Sequence, residues 1–281
     1  MDFVEFIKII ILGIIEGITE WLPISSTGHL LLAEQFLKLN VSEEVWNVFL
    51  VVIQFGAILA VVLIFWDKIW PFSSNTEERV RKPVIALWIK ILVACLPAAI
   101  IGLLFDDKLD EIFYAKNRAP FVVAAMLILY GIFFILIENR NKDLKPKYTR
   151  LSNVPIKICF YIGLFQLLAL IPGTSRSGAT IIGAMLIGTS RAVAAEFTFY
   201  LAIPVMAGAS LLKVVKFIKD YGMFSGNDIV IMLTGCIVAF LVSFVVIKGF
   251  LSYIRKHDFK PFGYYRIVAG IVFMVYFAIA L

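Results

Sequence analysis

The chain has 281 residues, 61% of them hydrophobic and only 16% charged, which excludes an ordinary soluble domain, where charged residues reach about 25%. Its formal net charge of +6 does not point to nucleic acid, because in a membrane chain the placement of Lys and Arg reports orientation. Cys95, Cys159 and Cys236 are scattered in or beside apolar runs without the paired spacing of a zinc site or disulfide framework, so they read as packing residues.

From the N-terminus, an apolar stretch begins at Phe3. Asp2 and Glu5 precede the first lysine, Lys8, and Glu16 interrupts the run with no small-residue cleavage pattern nearby, so the segment is expected to stay in the mature protein. It extends to about residue 39, broken by Pro23 and a Ser/Thr/Gly cluster. Full-length apolar runs follow at 46–66, 84–105 and 119–138. Lys90 falls near the start of the second, where its long stem carries the ammonium to the interface. A basic linker, "ENRNKDLKPKYTRLSNVPIK", leads to a second interrupted segment at about 157–189, and runs at 193–215, 228–250 and 263–281 complete six spans.

The two interrupted segments resemble each other. "GIIEGITEWLPISSTG" from Gly13 and "GLFQLLALIPGTSRSG" from Gly163, set 150 residues apart, align Gly13 with Gly163, Glu16 with Gln166, Ser25 with Ser175 and Gly28 with Gly178, while the prolines miss by one position. "QFGAILA" from Gln54 and "EFTFYLA" from Glu196 add a polar residue to the next span of each half. The expected fold is therefore an all-α integral membrane protein, one membrane domain over 1–281. Two repeats, about 1–140 and 150–281, build six transmembrane helices plus two re-entrant helical hairpins. If each hairpin returns to its own side, loops 67–83, 139–157 and 251–262 share one face with 4, 6 and 3 Lys/Arg, and loops 106–118 and 216–227 share the other with 3 and 2. The positive-inside rule makes the first set cytoplasmic. The first hairpin then enters from outside and the second from the cytoplasm, as inverted-topology repeats require, and their tips meet near mid-membrane.

Several polar residues sit at these breaks. Glu16 and Glu20 lie one turn apart on one helix face. Charged at the centre of a lipid-exposed helix, each would cost roughly 2.5 to 3.5 kcal/mol, so something polar must face them. Their spacing suits a structural role, a divalent-cation site or an acid/base pair. Pro23 is expected to end the helix, and "SSTG" to start the next. After Pro172, "GTSRSG" does the same for "ATIIGAMLIG". Helix N-termini attract anions, and Arg176 adds a guanidinium that grips phosphate or carboxylate oxygens in pairs. Simple helix capping explains either cluster alone; two converging clusters, one with an Arg and one following two Glu, point to anion chemistry. His29, beside Ser25 and Ser26, suits a structural role or that of base, acid or phosphate acceptor. His257, in the basic loop "RKHDFKPF", reads as a solvated interfacial residue. Together these residues suggest a phosphorylated amphiphile held in a membrane-embedded cleft with hydroxyl nucleophiles at hand.

At this level of detail, "EGITEWLPISSTGHL" and "PGTSRSGAT", in this order and about 150 residues apart, with the "EFTFYLAIP" stretch, resemble the undecaprenyl-pyrophosphate phosphatase family, known for bacitracin resistance. The resemblance covers essentially the whole chain. It implies a multi-pass protein of the bacterial cell membrane that hydrolyses C55 polyprenyl pyrophosphate to the monophosphate and inorganic phosphate. That reaction recycles the carrier for peptidoglycan and other cell-wall polymers, in an active site opening to the outer side. By the same resemblance, Glu16 and Glu20 match the family's carboxylates, associated with a divalent cation, Mg²⁺ or Ca²⁺. Ser26 matches its favoured nucleophile, with His29 the competitor for that role. Ser25, Thr27 and Gly28 fall among the positions lining the site, and Arg176 with Ser175, Ser177, Gly178 and Thr180 matches the pyrophosphate-binding loop. The implied partners are the C55 lipid and the bilayer, with no nucleic acid; a homodimer stays open. The rival reading is a polyprenyl-phosphate flippase or secondary transporter, since inverted repeats with broken helices are a transporter architecture. A carrier needs binding groups but no attacking hydroxyl, which favours hydrolysis.

Overall fold

The computed structural model describes residues 2–73, 80–113 and 118–280, and within them the chain is helical, with only the isolated bridges Phe72–Val80 and Tyr148–Thr189 besides. In chain order the helices are α1 (Phe3–Thr19), α2 (Ser26–Glu34), α3 (Glu43–Ile64), the short α4 (Trp66–Ile69), α5 (Lys82–Phe113), α6 (Ala119–Asn141), α7 (Ile156–Gln166), α8 (Arg176–Ile187), α9 (Arg191–Tyr221), α10 (Gly226–Ile254) and α11 (Lys260–Ala280). Among the described residues six are long and apolar enough to cross a membrane: α3, α5 over Lys82–Phe105, α6, α9, α10 and α11. They fall on the six apolar runs of the sequence, and the chain is an all-α, multi-pass membrane protein. Leu59, Leu63, Leu92, Leu96, Leu241 and Val245 stand exposed on these helices. In water such a surface would aggregate; against acyl chains it is the side that belongs outside.

Local chemistry sets the starts of these helices. Ser42, Ser190 and Ser225 cap α3, α9 and α10, their hydroxyls accepting from the amides of Val45, Val193 and Asp228, which satisfies donors that have no partner within the helix. Pro97 and Pro204 lie inside α5 and α9, where neighbouring membrane helices tolerate them. Lys90 carries its ammonium to the carbonyls of Leu151 and Ser152, at 3.2 and 2.9 Å, as the snorkelling reading expects.

One boundary meets the sequence expectation and one departs from it. α1 stops at Thr19, ahead of Pro23: Thr19 Oγ1 turns back to the Ile15 carbonyl at 2.7 Å, and Glu20 is the C-cap, its carboxylate drawn to partners beyond the helix. Pro23, four residues after Thr19, has no N–H to give the Thr19 carbonyl and so bars continuation of the helix, as expected. α9 continues past 215 to Tyr221 because Phe217 packs into the core with Ile9, Trp46 and Ile231. The parts of loops 67–83 and 106–118 at 74–79 and 114–117 lie outside the described residues.

Packing places the two interrupted segments. α1 lies along α10 and α7 along α5, so each break-bearing helix packs on a span from the other half; α3 packs on α9 and α6 on α11. Small residues make the approach possible: a β-carbon on Gly13 would stand 2.9 Å from Val238 Cβ, and one on Gly163 would strike the Ala94 backbone. Beside the first break, the fully buried Trp21 meets Phe199 of α9 edge-on, with ring centroids 5.3 Å apart, a favoured aromatic geometry.

Candidate active site

Both breaks use one backbone device. Ser25 caps α2 and Ser175 caps α8, each hydroxyl accepting from the glycine amide three residues on, Gly28 at 3.3 Å and Gly178 at 3.1 Å. Among the described residues these are the only non-glycine positions with positive φ, 75° at Ser25 and 72° at Ser175. Such a conformation costs of order 1–3 kcal/mol and persists where the surroundings hold it in place, commonly at functional sites. The strained serine puts the next residue, Ser26 or Arg176, at the first position of its helix.

These two residues converge on Glu20. Ser26 Oγ donates to Glu20 Oε2 at 2.6 Å, and Arg176 Nη2 donates to Glu20 Oε1 at 3.1 Å from the other break. Ser177 Oγ donates to the Glu20 carbonyl at 3.3 Å and lies 3.1 Å from Ser175 Oγ. Arg176 Nη1 donates to the Thr198 carbonyl of α9 at 2.7 Å, and the Thr180 and Thr198 hydroxyls are in contact. Glu20, Ser26, Ser177 and Thr180 are all buried. A hydroxyl at 2.6 Å from a carboxylate is a charge-assisted bond, the arrangement in which the carboxylate can receive the hydroxyl proton.

Glu16, one turn earlier on α1, is fully buried, and neither of its oxygens has a hydrogen-bond partner. Gln166, 150 residues on, is likewise buried with both amide atoms unpartnered, as are Trp21 Nε1, Thr174 Oγ1 and Arg176 Nε. Among the described residues, all the buried unpartnered side-chain polar atoms except Thr189 Oγ1 belong to the two breaks. Native proteins satisfy buried polar atoms almost everywhere, so this concentration sets the breaks apart from the rest of the described residues. No group of three or more His, Cys, Asp or Glu that could hold a metal occurs among the described residues. The Glu16–Glu20 pair supplies hard oxygen donors that suit Mg²⁺ or Ca²⁺ when phosphate oxygens and water complete the shell.

Not every expected site residue joins the cluster. His29 has both ring nitrogens engaged elsewhere: Nδ1 lies 2.7 Å from the Ser25 carbonyl and Nε2 2.7 Å from the Tyr265 hydroxyl, with the ring stacked on Tyr265. Since a carbonyl only accepts, Nδ1 carries a proton, and Nε2 shares a hydrogen bond with the Tyr265 hydroxyl. His29 thus braces the strained Ser25. Thr27 is exposed. Glu196 pairs with Lys68 at 2.7 Å and accepts from Tyr200 Oη at 2.6 Å, outside the cluster.

Arg266 is the residue that the sequence reading missed. It is fully buried in α11 and donates to the carbonyls of Pro23 at 3.0 Å, Gly173 at 2.9 Å and Thr174 at 3.0 Å, tying the two breaks to each other. It also donates to Leu127 and Met126 of α6. A charge inside the run 263–281 was the signal available, since ionisable residues within a span are rare and functional.

The comparisons agree along the whole chain. A family model described as bacitracin resistance protein BacA matches residues 9–272. A protein of Lachnoclostridium phytofermentans named undecaprenyl-diphosphatase is 56% identical over 280 residues, covering 100% of both chains. One of Acetivibrio thermocellus with the same name is 56% identical over 274 residues, 97% of this chain and 98% of its own. Another, of Enterococcus faecalis, is 54% identical over 281 residues, 99% of each. The chain belongs to the bacitracin resistance protein BacA family.

Proposed function

We propose that the protein is an undecaprenyl-diphosphatase of the cell membrane. It hydrolyses undecaprenyl diphosphate to undecaprenyl phosphate and inorganic phosphate, with Ser26 as nucleophile. The observation that carries the reading is the Ser26 hydroxyl seated on Glu20, with Glu20 held from the opposite break by Arg176. Relatives named undecaprenyl-diphosphatase along the full chain favour hydrolysis over a flippase or transporter.

In this mechanism Arg176 and the N-termini of α2 and α8 hold the diphosphate oxygens, where positive charge stabilises the transferring phosphoryl group. Arg176 Nε, without a protein partner, is available to substrate. Ser26 Oγ attacks the terminal phosphorus as its proton passes to Glu20. The bond to the bridging oxygen breaks, and undecaprenyl phosphate leaves with the electron pair. Glu20 gives that proton up to the departing undecaprenyl phosphate, then takes one from the water that attacks the phosphoserine phosphorus. It returns this proton to Ser26 Oγ as the serine P–O bond breaks, so inorganic phosphate and the free hydroxyl are restored. Glu16 and Glu20 would hold Mg²⁺ or Ca²⁺, which supplies further neutralisation of the diphosphate charge. His29 and Tyr265 keep Ser25, and with it the first turn of α2, in position.

The Lys/Arg-rich loops 139–157 and 251–262 support a cytoplasmic location for that end. With it go re-entrant segments inserted from opposite sides as inverted repeats and a site open to the outer face. The exchange of partners between α1–α10 and α7–α5, and the matched serines at 25 and 175, support the repeats. A cysteine placed near Asn40 should react with an impermeant reagent from outside, and one near Lys145 should not; reversed labelling contradicts the orientation. The function itself is tested by phosphate release from undecaprenyl diphosphate by the purified protein in detergent, with no gradient. Ser26→Ala should abolish release and His29→Ala should reduce it. Near-normal turnover in Ser26→Ala with none in His29→Ala would overturn the assignment of the nucleophile.

A further inference from the structure

A second cluster lies at the other end of α8. At 1.5 Å per residue, the 11 steps along α8 put Ile187 about 16 Å from Arg176. There a cavity of about 590 Å³ opens between the C-terminal ends of α6, α8 and α10 and the start of α9. Arg140, Lys142, Lys145, Lys147, Arg191 and Arg255 line it, with no Asp or Glu among the lining residues. Arg191 is neutralised by the buried Glu138. Arg140 donates to the Leu186 carbonyl, and Lys147 lies over the Tyr148 ring. Among the described residues Lys142, Lys145 and Arg255 pair with no carboxylate.

Two further features are those of an anion site. Thr189, only 4% exposed, lines the cavity, and among the described residues its hydroxyl is the one buried side-chain polar atom without a partner that lies away from the breaks. Ser190 caps Val193, which leaves the amides of Arg191 and Ala192, in the first turn of α9, without partners inside the helix.

The surroundings select the source of the anion. α6, α9 and α10 are membrane-spanning helices, and the cavity sits where they end. Leu144 and Leu186, both exposed, line it beside the cations. An apolar wall next to a basic one matches the boundary between acyl chains and headgroups, where basic pockets between spanning helices bind anionic lipids. The volume also exceeds what a single phosphate ion fills.

We propose that this cavity is a second anion site that binds the phosphate of an anionic phospholipid headgroup in the adjacent leaflet. It is separate from the site at the breaks, and the assignment holds whichever way the protein faces.

The test is native mass spectrometry of the full chain in detergent, titrated with phosphatidylglycerol or phosphatidylcholine, with and without inorganic phosphate as competitor. Phosphatidylglycerol should be retained over phosphatidylcholine and resist millimolar phosphate. Each cation is worth about fivefold near an anionic surface, so the combined Lys142→Ala, Lys145→Ala and Arg255→Ala variant should lose on the order of a hundredfold in affinity. Its phosphate release from undecaprenyl diphosphate should stay at the wild-type rate, which also shows that it is folded. Thr189→Val removes one hydrogen bond to a charged group and no charge, and should lose about tenfold. Wild-type affinity in the triple variant overturns the site, and wild-type affinity in Thr189→Val reduces it to diffuse attraction. Equal binding of the two lipids together with displacement by inorganic phosphate overturns the lipid as ligand.

Discussion

The two breaks share a backbone and divide the chemistry. Ser25 and Ser175 hold the same strained φ and cap their helices on Gly28 and Gly178 in the same way. Yet at the 150-residue offset Glu16 faces Gln166, Glu20 faces Leu170 and Ser26 faces Arg176. The first break carries carboxylates and a hydroxyl, the second a guanidinium and hydroxyls. The same device presents two helix N-termini, and Glu20 is where the hydroxyl of one break meets the guanidinium of the other; in the proposed mechanism the first attacks and the second grips.

This division can be broken from the gripping side first. On the proposed mechanism Arg176→Ala removes a charged donor to the transferring phosphoryl group and should lower kcat by about 10²–10³-fold. Arg176→Lys should recover only part of it, because the fork geometry is lost. Steady-state phosphate release measures both. A stability effect comes next. Arg266→Ala leaves carbonyls of Pro23, Gly173 and Thr174 without their donor, at about 1–3 kcal/mol for each that stays buried and unsatisfied. Thermal unfolding in detergent should therefore show a large drop in midpoint.

Glu16→Gln makes the first break like the second at that position. It should cut activation by Mg²⁺ or Ca²⁺ by at least about tenfold, read from cation titrations of activity, while Gln166→Glu should leave the cation requirement on the first break. The smallest effect tests the shared device. Ser25→Ala and Ser175→Ala should each destabilise by about 0.5–2 kcal/mol through loss of the cap. Similar losses in the two variants, measured by thermal unfolding, would bear out the equivalence of the breaks; a loss at one alone would contradict it.

Much of this architecture is legible in the sequence because the bilayer imposes a length. The runs at 46–66 and 228–250 need no tertiary information to be read as spans, and α3 and α10 fall on them. The breaks are legible through Pro23, Pro172 and the Ser/Thr/Gly clusters, and Ser25 with Ser175 through the offset. So is the end of α1, since Pro23 cannot continue the helix, but the use of the Glu20 carboxylate there is not, because its partners, Ser26 and Arg176, lie beyond the helix. Arg266 escapes because its acceptors lie 243 residues away at Pro23 and 93 at Gly173, and a single arginine does not spoil an otherwise apolar run. His29 sits next to the serines in sequence, yet its ring faces Tyr265 in α11, a contact that only the packing of α11 creates.

The central claim is that Ser26 of the first break is the nucleophile, and the covalent intermediate tests it most directly. The protein, slowed by Glu16→Gln, would be quenched in acid during turnover of undecaprenyl diphosphate labelled in its terminal phosphate, then digested and sequenced by mass spectrometry. Acid-stable phosphate on Ser26 is the predicted result. Phosphate on His29, seen as an acid-labile label preserved only under alkaline quench, would contradict it.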